Sequence, residues 1–294
     1  MGLGAVDVRA LATRHGVAPT KSKGQNFVVD PGTVTRIVRL AGVGPGDTVL
    51  EVGPGLGSLT VPLLSSGARV VAVELDERLA AALPGTVAEH LPGAVDRLHV
   101  VRGDATAVAA ADLPLPPDAL VANLPYNVAV PILLGVLRAV PSVRSGVVMV
   151  QSEVADRLCA TPGGRVYGVP SVKLAWYAAA RRVGSVAPTV FWPVPRVDSG
   201  LVGFERREPP AAEAPREDVF AVVDTAFAQR RKTLRQSLAP LAGSAAAAEA
   251  ALLAAGVDPR ERAERLDVTA FAAVADALRR GRAAFRGALQ EDSP

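Results

Sequence analysis

The residues Val49 to Gly57 read VLEVGPGLG, an apolar run that ends in a glutamate and then breaks into three alternating glycines, Gly53, Gly55 and Gly57. This pattern predicts a buried strand and a tight turn, and the helical spacing of apolar residues over 58–64 predicts a helix after it. Glycines at such a turn let a ligand approach the backbone and leave amide donors exposed at the helix start. The stretch is therefore interpreted as a cradle for a nucleotide.

A carboxylate at the end of the next predicted strand narrows the choice of nucleotide. The dinucleotide fingerprint is G-x-G-x-x-G, whereas this turn is G-P-G-L-G, with its third glycine one residue early. Glu74 lies twenty-one residues after Gly53 and closes the apolar run RVVAVEL, where an acid can bind both hydroxyls of a ribose. This favours an adenosine without requiring a pyrophosphate, and the spacing resembles the S-adenosylmethionine (SAM) site of class I methyltransferases. A tight bend that binds nothing is the alternative.

A second carboxylate follows the third predicted strand, Leu98 to Val101. Because the carboxyl ends of parallel strands meet at one edge of a sheet, Asp104 is expected beside the glycine turn and Glu74. There it is placed to accept a hydrogen bond from an adenine amine. A cap for the segment that follows it is an equally good local interpretation.

The tetrapeptide after the fourth predicted strand, Ala119 to Ala122, has the groups needed for chemistry on an amine. An exocyclic adenine amine is a poor nucleophile because its lone pair is delocalised into the ring. The side-chain oxygen of Asn123 and the carbonyl of Leu124, which precedes Pro125, can each accept one N–H, while Tyr126 can stack on the base. Positioning and hydrogen bonding would then provide catalysis without a dedicated base. A proline turn with a core tyrosine is the alternative.

In this order, KSKGQNFVV, EVGPGLGSLT, VELD, GDA, NLPYN and VQSEVADRL with PGGRVYG resemble the ribosomal RNA adenine N6,N6-dimethyltransferase family over nearly the whole chain. The resemblance implies that SAM is the cofactor and that two methyls pass to N6 of each of two adjacent adenosines. It places these adenosines in the 3′-terminal hairpin of 16S ribosomal RNA, within the immature small subunit. The implied cofactor contacts are Asn26, Val28, Gly53, Glu74, Asp104 and Asn123, and the implied adenine contacts are Asn123, Leu124, Pro125 and Tyr126.

Two positions depart from that family's usual pattern. Val28 stands where leucine is usual, which is a conservative apolar change. Ser152 stands where lysine is usual, which can alter an RNA contact.

The proline-rich segment Val186 to Ser199 is predicted to be extended, with Phe191 and Trp192 at its centre. In the resembling family, the residue that matches Phe191 stacks on the flipped base opposite the tyrosine of the tetrapeptide, and unpairing that base costs a few kcal/mol. Closing the core of the sheet is the alternative role for these rings, and it suits Trp192 better.

The distribution of basic residues along the chain is used to predict where RNA binds. Residues 41–180 carry nine basic and twelve acidic residues, whereas 181–294 carry seventeen and fifteen. The run QRRKTLRQSL is predicted to form a basic ridge on one or two helical turns, which suits phosphates. RNA contacts are predicted at Lys21, Lys23, Arg165, Arg230, Arg231, Lys232 and Arg235. Solvated faces are the alternative. FAQRRKTLRQSL is also typical of the resembling family and is generally missing from resistance dimethylases of large-subunit RNA, which favours the small-subunit branch.

The 294 residues suit two domains. We predict an α/β class I SAM-dependent methyltransferase sheet over 1–204 and a small all-helical, RNA-binding domain over 205–294. Residues 1–19 are predicted to be a mobile lead-in, 84–96 a long connection, and 229–238 a helix.

Composition excludes several other classes. The single cysteine, Cys159, excludes an internal disulfide and a cysteine-cluster metal site, so no metal is predicted. The longest uncharged stretch, 119–137, is interrupted by asparagines and prolines, which argues against a membrane span. With no secretory signal pattern, a cytoplasmic monomer is expected. Three rival functions stay open: a dimethylase of 23S ribosomal RNA, a glutamine or DNA amine methyltransferase, and an assembly factor that acts by binding alone.

Overall fold

A computed structural model describes residues 2–17 and 26–291, with side chains described as far as residue 281. The chain forms two compact units, Met1–Cys159 with Ala179–Arg206, and Ala160–Ala178 with Arg207–Pro294. A single boundary after residue 204 does not describe this arrangement, because the chain enters the second unit at 160 and returns to the first before leaving it again.

The strands alternate with helices through the first half of the chain, and helices predominate in the last third. The strands are β1 (Phe27–Val28), β2 (Thr48–Val52), β3 (Arg69–Glu74), β4 (Leu98–Arg102), β5 (Ala119–Asn123), β6 (Ser145–Gln151), β7 (Ala178–Val186), β8 (Phe191–Trp192) and β9 (Ser199–Arg206). The helices are α1 (Ala5–Arg14), α2 (Pro31–Ala41), α3 (Thr60–Ser65), α4 (Glu77–His90), α5 (Ala129–Ala139), α6 (Ser152–Leu158), α7 (Val169–Tyr177), α8 (Arg216–Ala228), α9 (Leu234–Ser237), α10 (Ala239–Ala242), α11 (Ala245–Ala254) and α12 (Val268–Glu291).

The main sheet has the strand order β4-β3-β2-β5-β6-β9-β7. Strands β2 to β6 pair in parallel, and β9 is antiparallel to β6. All five residues of β2 are buried, as expected for a parallel strand covered by helices on both faces. The carboxyl ends of β2, β3, β4 and β5 therefore meet at one edge, as the sequence predicted. A separate two-stranded sheet pairs β1 with β8.

The prediction of a mobile lead-in is wrong for the described residues 2–17. Leu3, Val8 and Leu11 are at most 2% exposed, and they belong to one apolar cluster with Leu56 and Leu79. The apolar pattern of α1 is weak, and Val6 is 81% exposed, but Val8 and Leu11 are covered by residues distant in sequence. Tertiary burial therefore orders a helix whose own sequence pattern is weak.

The predicted connection over 84–96 is also wrong at its start, because α4 continues through Pro84. A proline inside a helix costs about 3 kcal/mol through the lost N–H bond and the ring clash. Leu79, Leu83 and Val87 offset this cost because they repeat every four residues and are almost fully buried.

The second unit is helical, apart from its connections. Within it, Val219, Val223 and Phe271 are fully buried, and the Tyr167 hydroxyl donates to the Leu266 carbonyl at 2.9 Å. Tyr167 is 2% exposed, so it is a core residue of this unit. No helix in the part of the chain that the structure describes combines the length and the apolar character needed to cross a bilayer.

The helix predicted over 229–238 is wrong for 229–233 and confirmed for Leu234–Ser237. Helix α8 ends at Ala228, a turn follows, and α9 begins at Leu234. The backbone N–H groups of Leu234 and Arg235 donate to the carbonyls of Glu261 and Pro259, at 2.8 and 3.1 Å. The first amides of α9 are thus bonded to residues 259–261 and not to the end of α8.

Candidate functional site

A cavity of about 410 Å³ opens at the carboxyl edge of the parallel strands. This volume is in the range of small-molecule sites. The lining residues that the sequence singled out are Asn26, Val28, Gly53, Glu74, Asp104, Asn123, Leu124, Pro125 and Tyr126. The fold therefore brings together every predicted cofactor contact and the whole tetrapeptide.

The glycine turn adopts the backbone that its sequence predicts. Gly53, Gly55 and Gly57 all have positive φ, at 66°, 59° and 94°, which side chains other than glycine rarely adopt. A Cβ on Gly55 would also lie 2.8 Å from a ring carbon of Phe27. The turn is thus held between the cavity and β1, and it cannot accept a larger residue at its centre.

Glu74 ties the end of β3 to this turn. Its Oε2 accepts from the Gly55 N–H at 3.1 Å, and its Oε1 accepts from the Asp76 N–H at 2.9 Å. Burial raises the pKa of Glu74, and these two backbone donors oppose the rise. The carboxyl is fixed in orientation at the cavity wall, with lone pairs left for the hydroxyls of a ligand.

Asp104 combines the two roles that its sequence left open. Its Oδ1 accepts from both the N–H and the hydroxyl of Thr106, each at 2.8 Å, and these donors lower the pKa of Asp104. The carboxylate is exposed and borders the cavity. It therefore stays ionised and can accept from a ligand amine as well as stabilise its own loop.

Asn123 has one amide atom engaged and the other unpaired. Its Nδ2 donates to the Asn26 carbonyl at 3.0 Å, while its Oδ1 is buried and has no partner among the described residues. Beside it, the Leu124 N–H donates to the Met149 carbonyl at 3.0 Å, which fixes the backbone to β6. Leaving a buried acceptor unpaired costs about 1–3 kcal/mol. The fold retains this cost at the residue predicted to hold a reacting amine.

The sequence did not single out Glu51, the acid inside β2 that also borders the cavity. It is 1% exposed, and its Oε2 has no hydrogen-bond partner in the described residues; the same is true of the Ser58 hydroxyl. Burial raises the pKa of Glu51 to about 8, the charge of Glu74 acts in the same direction, and Thr60 acts against it. The sequence signal that could have identified Glu51 as a site residue is an ionisable side chain inside the apolar run VLEV.

The aromatic residues divide between the cavity and the core. Tyr126 is half-buried at the cavity, and its hydroxyl shares a 2.7 Å hydrogen bond with Ser199. Phe191 is 1% exposed, packs in the core cluster and does not reach the cavity lining. Trp192 stacks on Phe27 with ring centroids 6.3 Å apart. The structure thus places in the core the ring that was predicted to stack, and leaves Trp192 partly exposed.

The structure does not arrange the predicted RNA-contacting residues as one basic ridge. Lys21 and Lys23 lie outside the described residues. In the second unit, Arg230 pairs with Glu264 at 2.9 Å and donates to the Arg165 carbonyl at 2.7 Å. Arg235 pairs with Glu249 at 2.7 Å.

Two other predicted cations of this unit, unlike Arg230 and Arg235, are not paired with carboxylates of the described residues. Arg231 and Lys232 are exposed in the turn after α8 and form no ion pair with the residues that the structure describes. The predicted cluster therefore consists of two neutralised arginines and two cations open to a ligand.

Ser152 is neutral, but a cationic side chain, that of Arg182, lies beside it in the structure. The Ser152 hydroxyl accepts from the Arg182 guanidinium at 2.9 Å. Arg182 also pairs with Asp156, so the basic group is anchored on both sides.

A family model for ribosomal RNA adenine dimethylases matches residues 18–280. A ribosomal RNA small subunit methyltransferase A from Thermobifida fusca is 63% identical over 271 residues, which cover 92% of this chain and 94% of the relative. The protein of the same name from Kineococcus radiotolerans is 64% identical over 274 residues, which cover 93% and 90%.

Solved structures share the architecture. A dimethyladenosine transferase from Plasmodium falciparum superimposes with a TM-score of 0.70 at 23% identity, covering 84% of this chain and 95% of its own. The 23S rRNA methyltransferase ErmE superimposes with a TM-score of 0.62 at 27% identity, covering 86% and 100%. The prediction of a class I methyltransferase fold with a helical C-terminal region is confirmed.

Proposed function

Because this chain belongs to the ribosomal RNA adenine dimethylase family, we propose that it methylates N6 of two adjacent adenosines in the 3′-terminal hairpin of 16S ribosomal RNA. The chain is a SAM-dependent ribosomal RNA methyltransferase. Each adenosine receives two methyls, and the enzyme acts as a cytoplasmic monomer on the immature small subunit. The small-subunit assignment is supported by relatives at 63% and 64% identity that carry that name.

The observation that carries this proposal is the unpaired Oδ1 of Asn123 at the cavity. An acceptor that is fixed by the Asn123 Nδ2 bond to Asn26 and is left without a donor suits a ligand N–H. The adenine amine of the target supplies that donor, and the amine then lies beside the glycine turn.

The residues around the cavity fit SAM. Glu74 would bind the ribose hydroxyls, Asp104 the adenine amine, and Asn26, Val28 and Gly53 the rest of the cofactor's contacts. The positive φ values of the glycine turn bring its backbone to the cavity wall without side chains in the way. When bound, SAM supplies an electrophilic methyl group.

The tetrapeptide then has three tasks. Asn123 Oδ1 accepts one N–H of the target amine, and the Leu124 carbonyl before Pro125 accepts the other. Two acceptors favour the pyramidal nitrogen and align its lone pair with the methyl, which replaces general-base catalysis by positioning. Once N6 carries the new methyl, it loses a proton to solvent.

The target base must leave its stack to reach these groups, and Tyr126 provides an aromatic surface at the cavity. Stacking of Phe191 on the other face of the base stays a prediction, since it requires that this buried ring become exposed. Phosphates of the RNA would bind Lys21, Lys23, Arg165 and the free cations Arg231 and Lys232, with Arg230 and Arg235 contributing less.

A dimethylase of 23S ribosomal RNA is the second candidate, because ErmE shares the fold at 27% identity. The deciding experiment incubates the purified protein and SAM with small subunits and with 23S RNA, both from a strain that lacks the gene. Mass spectrometry of the digested RNA is expected to find two adjacent dimethyladenosines in 16S RNA only. Methylation of 23S RNA alone, or binding to small subunits with no methylation, would contradict the proposal.

A further inference from the structure

The tetrapeptide is not held evenly along its length. Asn123 lies in β5 opposite Met149 of β6, and Leu124 is 1% exposed with its N–H bonded to the Met149 carbonyl. Tyr126 lies beyond these contacts, in the turn before α5. The first half of the tetrapeptide is therefore fixed by the sheet, whereas the tyrosine needs some other restraint.

That restraint comes from a residue seventy-three positions away. The Tyr126 hydroxyl shares its 2.7 Å hydrogen bond with the hydroxyl of Ser199, the first residue of β9. Ser199 is 0% exposed and lies opposite Gln151 of β6, and the adjacent Asp198 carbonyl accepts from the Ser152 N–H at 2.9 Å. The partner of the tyrosine is thus part of the rigid sheet.

With its Cα fixed by the backbone and its hydroxyl held by Ser199, the Tyr126 side chain keeps one χ1 angle, because rotation about Cα–Cβ would move the hydroxyl out of bonding distance. Burial raises the pKa of Tyr126, and the hydrogen bond to Ser199 opposes the rise. The hydroxyl is consequently a neutral group used for anchoring, and the ring face stays at the cavity.

We propose that Ser199 is a positioning residue that holds the Tyr126 ring at the place where it stacks on the target base. This inference rests on the proposed function. Ser199 itself does not border the cavity, so it acts through the tyrosine and touches neither cofactor nor RNA.

A double-mutant cycle tests the inference with Ser199→Ala, Tyr126→Phe and the combination. Each variant removes the same hydrogen bond and keeps the ring, so all three are expected to lower kcat by a similar factor, about five- to tenfold. The KM values for SAM and for the small subunit should stay near wild type, because Ser199 contacts neither. Equal losses in the single and double variants identify one shared interaction.

The control is Ser237→Ala, which truncates another buried serine whose hydroxyl donates to the Leu234 carbonyl within α9. It should lower the melting temperature without lowering kcat. Should Ser199→Ala not fold, Ser199→Cys, similar in volume and a weaker hydrogen-bonding group, is expected to show most of the kcat loss.

Three outcomes would overturn the inference: wild-type kcat in Ser199→Ala or in Ser199→Cys, additive losses in the double variant, or a loss confined to Tyr126→Phe, which would mean that its hydroxyl acts directly on RNA. Failure of the proposed function looks different, since the wild-type protein would then leave 16S RNA unmethylated.

Discussion

Polar groups are paired differently at the cavity of the first unit and at the basic turn of the second unit, residues 230–235, which span the turn after α8 and the start of α9. At the cavity, buried polar atoms of Glu51, Ser58 and Asn123 lack partners within the described residues. At the basic turn, Arg230 and Arg235 are exposed yet paired with carboxylates. Unpaired groups are costly where they are buried and inexpensive where they are exposed, so the cavity retains an energetic cost that the surface does not. We therefore expect binding specificity to reside at the cavity and general attraction for phosphates to come from the turn.

The largest effect is expected from Asn123→Ala, which removes the unpaired oxygen. Loss of one fixed hydrogen-bonding group at a reacting centre typically lowers kcat by about 100- to 1000-fold. Single-turnover methylation of small subunits measures it. Asn127→Ala, an exposed asparagine in the same loop, should lose less than about tenfold. Equal losses in the two variants would show that the loop, and not the oxygen, matters.

The second expected effect is on stability, through Glu51→Gln. In the folded protein without SAM, the pKa of Glu51 is about 8, against 4.5 for an ordinary glutamate. Between these values the folded chain keeps a proton that the unfolded chain releases, so stability falls as pH rises from about 4.5 to about 8. The slope contributed by one such group is at most about 1.4 kcal/mol per pH unit.

Urea denaturation at pH 5, 6.5 and 8 measures this slope. Glu51→Gln should lose the part that Glu51 contributes, whereas Glu153→Gln, at an exposed acid of α6, should keep the wild-type slope. If Glu51→Gln follows the wild-type pH profile, the carboxyl is already ionised and paired, and the contrast between cavity and surface is weakened.

The smallest effect is expected at the basic turn. Replacing Arg231 and Lys232 together by Ala should weaken RNA binding about fivefold and lower the salt slope by about two, since two free cations are lost. Replacing Arg230 and Arg235 together should do less, because Glu264 and Glu249 already neutralise them. Fluorescence anisotropy with a 16S fragment over a KCl series measures both. A larger loss in the second pair would mean that RNA displaces the carboxylates.

The same contrast explains what the sequence could predict. That Gly53, Glu74, Asp104 and Asn123 lie together could be predicted because strand order brings the ends of β2, β3, β4 and β5 to one edge; their roles in binding stay predictions. The continuous basic helix does not form because the partners of Leu234, Arg235 and Arg230 come from 259–264, at a distance in sequence that charge counting does not detect; RNA binding by these cations stays a prediction.

Other differences have the same origin. Pro84 was taken as a helix end, although the burial of Leu83 and Val87 keeps α4 intact. Phe191 was assigned to a base through family resemblance; its ring packs in the core, and its stacking on a base stays a prediction. The unpaired state of Glu51 and the bond between Tyr126 and Ser199 depend on side-chain geometry that no local pattern encodes.

The packing of α1 sets a limit on how short an active enzyme can be made. Leu3, Val8 and Leu11 share a cluster with Leu56, which follows the central glycine of the turn, and with Phe27, whose ring blocks space beside Gly55. Removing the amino-terminal residues would expose Leu56 and Leu79 to solvent and weaken the packing against the glycine turn. We therefore expect a shortened protein to lose cofactor affinity before it loses its fold.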